Sequence, residues 1–397
     1  MNISPASRLA AASTSAHDVD VSVLVPVLNE ERDIRETVAA MQAQCFEGSI
    51  ELLFADGRSN DRTREILLEL AASDPRIRVL DNPRRRTASG LNVCLREARG
   101  QYVARMDAHT FYPDSYLAAG VKRLRRGDTD WVSGPAVARG SGVVSRSVAL
   151  ALASWLGRGA SRKWSEDTGG AGEYELDTGV FGGVWPRAKV LEAGGWDERW
   201  PINQDSEMAS RFLRRDARLV CLHEMASHYL PRDSLPALTR QYFRYGFYRA
   251  RTFRRHPQSM RPSHLIAPAL ACVLVAAMVA PRPLRRSSRL ALALYLACIA
   301  ATGARVAARR GERLEGVLLL TVLPAMHLGW GFGALTGALR FGPPISALKH
   351  VAGRPLPGAV FESAETVYAP SLHERPLSAV LRSDPPAADA ATGRRTG

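Results

Sequence analysis

The pattern of apolar and polar positions changes character near residue 265. Before it, short apolar runs alternate with stretches whose apolar residues recur every three to four positions. Val21-Ser-Val-Leu-Val25, Ile50-Glu-Leu-Leu-Phe-Ala55, Ile77-Arg-Val-Leu80 and the run from Gln101 to Ala104 read as buried strands. Between them, Ile34, Val38 and Met41 share one helical face, and helices are predicted over Arg62–Leu70 and Ala88–Ala98. Strands alternating with helices across short loops predict an α/β domain with a mostly parallel sheet. Further on, Trp131–Val137 predicts a strand, Val143–Leu156 a helix with an apolar face, and Ala217–Leu222 another strand. Arg158–Leu176 is a long stretch rich in glycine, serine and charge, and is expected to form a lid.

From Leu265 the apolar runs become continuous. Leu265–Ala280 has sixteen uncharged residues, Leu290–Gly303 is similar, and Gly316–Leu339 has twenty-four with one histidine. The third run can cross a hydrocarbon core of about 30 Å at about 1.5 Å per residue. The first two are short for spans unless flanking residues extend them, and a re-entrant pair is an alternative. Buried helices of a soluble domain are the rival reading. Residues 1–19 are rich in Ser and Ala without a sustained apolar core and read as a flexible leader. From about Val351 the chain loses periodicity and reads as a disordered tail. The division expected is a leader (1–19), an α/β domain (20–255), a membrane region with two or three hydrophobic helices (256–345) and a tail (346–397).

Charge sharpens this picture. The formal net charge is +14, and eight arginines but one acid lie between Arg232 and Arg261. Such a cluster suits nucleic acid or an anionic membrane surface. The apolar runs directly after it favour the membrane and argue against nucleic acid. By the positive-inside rule, this dense set places the N-terminal domain in the cytoplasm, on a multi-pass chain in the cell membrane. Five scattered cysteines without CxxC spacing indicate neither a disulfide framework nor a zinc site.

Candidate chemistry gathers after the strands. Ligands of parallel sheets bind beyond the carboxyl ends of the strands. The turns there, Pro26–Glu30, Asp56–Ser59 and Asp107–His109, are rich in polar groups. No GxGxxG follows the first strand and no GxxxxGK[ST] occurs, which argues against dinucleotide-dependent oxidoreductases and P-loop NTPases. Asp107 and His109 lie two residues apart and would face the same way on an extended strand, a partial shell for a divalent metal. Asp107 as a helix cap and His109 as a satisfied loop histidine remain open. Asp56 suits a base or ribose hydroxyl, or a helix N-cap.

Val25-Pro26-x-x-Asn29-Glu30, Asp56-Gly57-x-Ser59-x-Asp61-x-Thr63, Gly90-Leu91-Asn92 and Asp107-x-His109 occur in this order over about residues 20–250. Together they resemble the family 2 glycosyltransferases of GT-A fold, most closely the succinoglycan glucosyltransferase group. The resemblance implies a nucleoside-diphosphate sugar donor, of UDP type, held by Pro26, Asn29, Glu30, Asp56, Ser59, Asn92 and Asp107. It implies Mn²⁺ or Mg²⁺ on Asp107 and His109, with His228 a further ligand. His109 departs from the second Asp usual in the family, and imidazole suits Mn²⁺ better than Mg²⁺. In Asn203-Gln204-Asp205-Ser206-Glu207, Asp205 aligns with the family's general base, and Gln204 replaces the usual Glu. Inversion at an anomeric carbon needs one such base to take the acceptor's proton; a plain N-cap is the other reading of Asp205.

The acceptor side would include Gly182, Gly183, Gln204, Gln241, Arg244 and Tyr245. The glycines also suit a tight sheet crossing. The segment Arg240-Gln-Tyr-Phe-Arg-Tyr-Gly246 resembles the Gln-x-x-Arg-Trp segment of membrane glycan synthases, and equally fits a basic amphipathic helix on a bilayer. The function implied is inverting hexose transfer to a lipid-linked or polysaccharide acceptor at the cytoplasmic membrane face, in exopolysaccharide or envelope-glycan synthesis. The alternatives are a polyprenyl-phosphate glycosyltransferase, or an inactive membrane scaffold of the same fold.

Overall fold

The structure, a computed structural model, describes residues 19–158 and 172–353. Residues 1–18 of the expected leader, residues 159–171 of the expected lid, and the chain beyond residue 353 lie outside the described residues, and the end of the expected lid, Glu173–Glu175, is a strand.

The chain begins with β1 (Val21–Val27), α1 (Ile34–Gln42), β2 (Ile50–Asp56), α2 (Thr63–Ser73), β3 (Ile77–Asp81), α3 (Thr87–Glu97) and β4 (Tyr102–Arg105). These four strands pair in parallel in the order β3-β2-β1-β4, with Val23 opposite both Leu52 and Ala104. Alternation along β1 divides the core. Val21, Val23, Val25 and Val27 pack with Ile34, Val38 and Met41 of α1 and Ile66 and Leu67 of α2. Leu24 faces the other way, with Leu91, Cys94 and Leu95 of α3. Both faces of the sheet are therefore covered, which is why its strands read as nearly continuous apolar runs.

Next come β5 (Thr110–Phe111), α4 (Tyr116–Leu124), β6 (Trp131–Ser133), β7 (Ala136–Ala138), α5 (Val143–Ala153), α6 (Trp155–Arg158), β8 (Glu173–Glu175) and β9 (Gly183–Pro186). After them follow α7 (Arg187–Glu192), α8 (Gln204–Leu213), β10 (Leu219–Leu222) and β11 (Ser227–Tyr229). The main sheet has eight strands in the order β3-β2-β1-β4-β9-β6-β10-β8, and only β9 and β8 run against the rest. A small second sheet, β5-β11-β7, sits beside it.

The single strand expected over Trp131–Val137 is two. A side chain at Gly134 would stand 1.8 Å from the Met225 carbonyl oxygen. The chain turns at Gly134-Pro135, so β6 joins the large sheet and β7 the small one. The helix expected over Val143–Leu156 is broken at Ser154 into α5 and α6.

Helix α9 (Leu235–Arg255) is followed by α10 (Ile266–Val279), α11 (Arg282–Arg310), α12 (Arg313–Phe341) and the short α13 (Ile345–Val351), which stands where the tail was expected to begin. The segments Pro262–Val279, α11 and α12 are long and apolar enough to cross a membrane. The first two bury little of their surface, while α12 is far more enclosed. Its Gly329, Gly333 and Gly337 lie on α9: side chains there would fall 2.9, 2.0 and 2.4 Å from the carbonyl oxygens of Thr239, Phe243 and Phe247. Small residues four apart let two helix backbones meet, and the α9–α12 seam has that form.

Candidate active site

The carboxyl edge of the parallel strands carries the site. At the end of β4, Arg105 and Asp107 lie two residues apart, and the Arg105 guanidinium takes both Asp107 oxygens at 2.8 and 2.9 Å. Its remaining nitrogen, Nη1, reaches Asp205 Oδ1 at 2.5 Å. Asp205 stands in the first turn of α8, one hundred residues later. Arg105 is 3 % exposed. Burial opposes its charge, but the flanking carboxylates of Asp107 and Asp205 more than offset that and raise its pKa. One guanidinium thus joins the residue expected at the donor to the residue expected as the base. Its one signal in the sequence was the Arg-x-Asp spacing.

The turn after β4 is held from several sides. The Asp107 N–H donates to the Tyr112 hydroxyl at 2.7 Å, and the Thr37 hydroxyl donates to the Ala108 carbonyl at 2.5 Å. His109 faces outward on this turn, with Nδ1 3.6 Å from Glu30 Oε1. The contact with Glu30 raises the His109 pKa. On β11, His228 pairs with Phe111, two residues past His109. Among the described residues, no three His, Cys, Asp or Glu side chains converge as a ready metal cage. The donor kinds still suit a divalent cation, since the Glu30 carboxylate stands 3.6 Å from the His109 imidazole and Asp107 lies on the same turn as His109. Hard oxygen donors with an imidazole fit Mn²⁺.

The first two turns of the edge form a clasp. Asn29 has φ 59°, its N–H donates to the Ser59 hydroxyl at 2.9 Å, and its side-chain oxygen accepts from the Asn60 N–H at 3.0 Å. The Ser59 hydroxyl donates to Asp56 at 2.6 Å, and Asp56 also meets Arg64 at 3.4 Å. Asp56 is fully buried, and its carboxylate ties this turn together. The Glu30 N–H donates to the Thr63 hydroxyl at 2.7 Å, which leaves the Glu30 carboxylate for His109. Pro26 lies in β1 opposite Ala55.

Asn92 is elsewhere. It is completely buried on α3, donating to the Trp196 carbonyl at 2.8 Å and accepting from its N–H at 2.9 Å. The structure gives it the job of fastening the loop before α8, not an opening onto the edge. Gly183 pairs with Arg105 across the sheet, and a side chain there would lie 2.4 Å from the Trp131 ring nitrogen. A side chain at Gly182 would meet the Tyr116 hydroxyl at 3.0 Å. Both glycines are therefore accounted for by the tight sheet crossing beside Arg105.

Asn203, in the left-handed region at φ 63°, enters α8, and its amide donates to the Tyr245 carbonyl at 2.9 Å. This bond brings α9 against the Asp205 turn. Gln204 is buried there, Gln241 donates to the Tyr245 hydroxyl at 2.9 Å, and burial raises the Tyr245 pKa. Arg244 is exposed one residue away.

The Glycosyl transferase family 2 model matches residues 22–184, the segment that runs from β1 to the start of β9. The succinoglycan biosynthesis protein ExoA of Rhizobium meliloti (strain 1021) is 31 % identical over 261 residues, which cover 65 % of this chain and 77 % of that one. The chain belongs to glycosyl transferase family 2. A second relative in the family's reach is a dolichyl N-acetyl-α-D-glucosaminyl phosphate 3-β-D-2,3-diacetamido-2,3-dideoxy-β-D-glucuronosyltransferase of Methanococcus voltae. It is 22 % identical over 57 % of this chain and 71 % of its own length. Among solved structures, the mannosyltransferase PcManGT from Pyrobaculum calidifontis, in complex with GDP-Man and Mn²⁺, superposes with a TM-score of 0.50 at 22 % identity. That likeness covers 79 % of this chain and 87 % of that one and shows the GT-A fold. As a family 2 enzyme, the protein is a glycosyltransferase of glycan biosynthesis with candidate membrane spans at its C-terminal side.

Proposed function

We propose that this enzyme is an inverting hexosyltransferase, taking its sugar from a nucleoside diphosphate at the β1–β2–β4 edge and passing it to a lipid-linked or polysaccharide acceptor at the cytoplasmic membrane face. The observation that carries this reading is the Asp107–Arg105–Asp205 bridge, which links the donor-side carboxylate to the acceptor-side acid through one buried cation. In this scheme Asp205 accepts the proton of the acceptor hydroxyl as that oxygen attacks the anomeric carbon. Arg105 holds Asp205 aimed, and the bond to Asp107 ties together the two halves of the reaction.

Asp107 and His109, with His228 beside them, would hold a divalent cation, as the Mn²⁺ and GDP-Man in the Pyrobaculum structure encourage. When bound, such an ion neutralises charge on the departing diphosphate. Pro26 and Glu30 would lie at the base and ribose. Gln241, Arg244 and Tyr245 would face the acceptor.

The test is nucleotide release by the detergent-solubilised protein, offered UDP-, GDP- and dTDP-sugars with Mn²⁺ or Mg²⁺, with and without chelator. Metal-dependent release of one nucleotide, lost in Asp107→Asn and His109→Ala, is the expected outcome. Release that survives chelator and both substitutions would remove the metal from the scheme. Full turnover by Asp205→Ala would favour a phosphate nucleophile, which needs no base.

A further inference from the structure

Away from the Asp205 edge, the last two turns of α9 and the end of α12 flank an open pocket of about 380 Å³, lined by Trp200, Arg251, Arg254, Arg255 and Phe341. Trp200 is 2 % exposed, and its ring nitrogen donates to the Thr252 hydroxyl at 3.0 Å. The guanidinium carbons of Arg251, Arg255 and Arg199 stand 4.3, 5.6 and 5.8 Å from the Trp200 ring. Arg251 is also 5.5 Å from the Phe341 ring. The acids nearby are already shared. Asp197 is held by Arg199 at 2.7 Å and lies 3.9 Å from Arg255, while Glu207 is held by Arg211 at 2.9 Å and lies 3.7 Å from Arg255. Among the described residues, neither Arg251 nor Arg254 has a carboxylate within ion-pair distance.

Like charges held together around a pocket repel, and Asp197 and Glu207 are two carboxylates against the five guanidinium groups of Arg199, Arg211, Arg251, Arg254 and Arg255. A structure that collects such an excess of positive charge is arranged for an anionic ligand. Arginine forks match phosphate oxygens two at a time, and the flanking rings hold the guanidinium planes in place. The position narrows the ligand further. Phe341 is the last residue of α12, so the cavity opens where a candidate membrane span ends. Phosphates on lipids sit at that depth. Arg251 lies six residues beyond Tyr245 on α9, about 9 Å of helical rise from the residue that touches the Asp205 turn.

We propose that the Trp200–Arg251–Arg254–Phe341 cavity binds a phosphate or diphosphate group carried by a lipid. A polyprenyl diphosphate on an acceptor and the headgroup of an anionic phospholipid share this chemistry. The acceptor source rests on the transferase reading above, whereas the binding itself does not.

The experiment is isothermal titration of the full-length protein in a neutral detergent, without donor or metal. The probes are farnesyl diphosphate, dioctanoyl phosphatidylglycerol and inorganic pyrophosphate, applied to wild type, Arg251→Ala and Arg254→Ala. Variants are compared only where their unfolding midpoints match wild type, and Arg251→Gln or Arg254→Gln replaces any alanine variant that unfolds early. Saturable binding of farnesyl diphosphate, weakened at least tenfold by either substitution, supports the site and an acceptor source. Saturable binding of phosphatidylglycerol alone, equally weakened, supports it with a bilayer source. Binding that the substitutions leave unchanged, no binding by any probe, or pyrophosphate binding as tightly as either lipid overturns it. Donor turnover is a separate measurement, so failure here and failure of the transferase reading are distinguishable.

Discussion

A single side chain carries most of the organisation of the site. Arg105 is buried between two carboxylates that lie one hundred residues apart in sequence, and removing it strands both. Arg105→Met is expected to lower stability by about 3–5 kcal/mol, the usual cost of breaking a buried ion pair from one side, as read from chemical denaturation. Arg105→Lys keeps the charge but cannot make the two-sided contact. It is expected to fold, yet lose turnover with little change in nucleotide affinity. Asp205→Asn is expected to lower turnover about 10²–10⁴-fold while donor binding persists, the range for loss of a general base. Asp107 and Asp205 could be singled out in the sequence because they fall in segments that resemble the family's motifs, although a helix cap was the other reading of each. Arg105 was not, because an arginine in a strand says nothing about where its guanidinium goes. Asn92 misled for the converse reason: its polarity was visible, but its inward direction depended on the distant Trp196 backbone.

At the scale of elements, α8 is held by its own buried charge. Glu207 is fully buried, and burial opposes its ionisation. Arg211, bonded to it at 3.0 Å, and His256 at 3.2 Å outweigh that and hold its carboxyl at about 2 against an ordinary 4.5. A folded-state pKa below the unfolded one gives stability that is fully present above about pH 4.5. That stability is lost as pH falls toward 2. Urea denaturation across this window is expected to show the loss in wild type. Glu207→Gln is expected to flatten this window and to be less stable at neutral pH. The elements of the parallel half could be read from apolar runs because both faces of each strand are covered. The split of β6 from β7 could not, since it depends on the Met225 carbonyl closing over Gly134. The second apolar run also understated its helix. Arginines extend α11 at both ends, Arg282 to Arg289 and Arg305 to Arg310, and a count of uncharged residues stops before them.

At the scale of the whole molecule, the enzyme is expected to remain with membranes through high-salt and carbonate washes and to leave only with detergent. Recovery in the salt wash would mean that the arginine-rich surface alone holds it there. Gly333→Leu is expected to lower the unfolding midpoint by several degrees or abolish folded yield in detergent, because the Phe243 carbonyl occupies the space a side chain needs. Neither substitution site nor seam was visible in the sequence, where the glycines of α12 read only as part of an apolar run.

That seam has a consequence for the choice of substrate. With the backbones of α9 and α12 in contact, and Tyr245 of α9 bonded to the Asp205 turn, the Asp205 edge is fastened to the apolar helices. With α12 in a bilayer, the height of Asp205 above the lipid is a constant of the fold. A sugar chain anchored at its other end reaches that height only at a certain length, so the enzyme would measure its acceptor as well as recognise it.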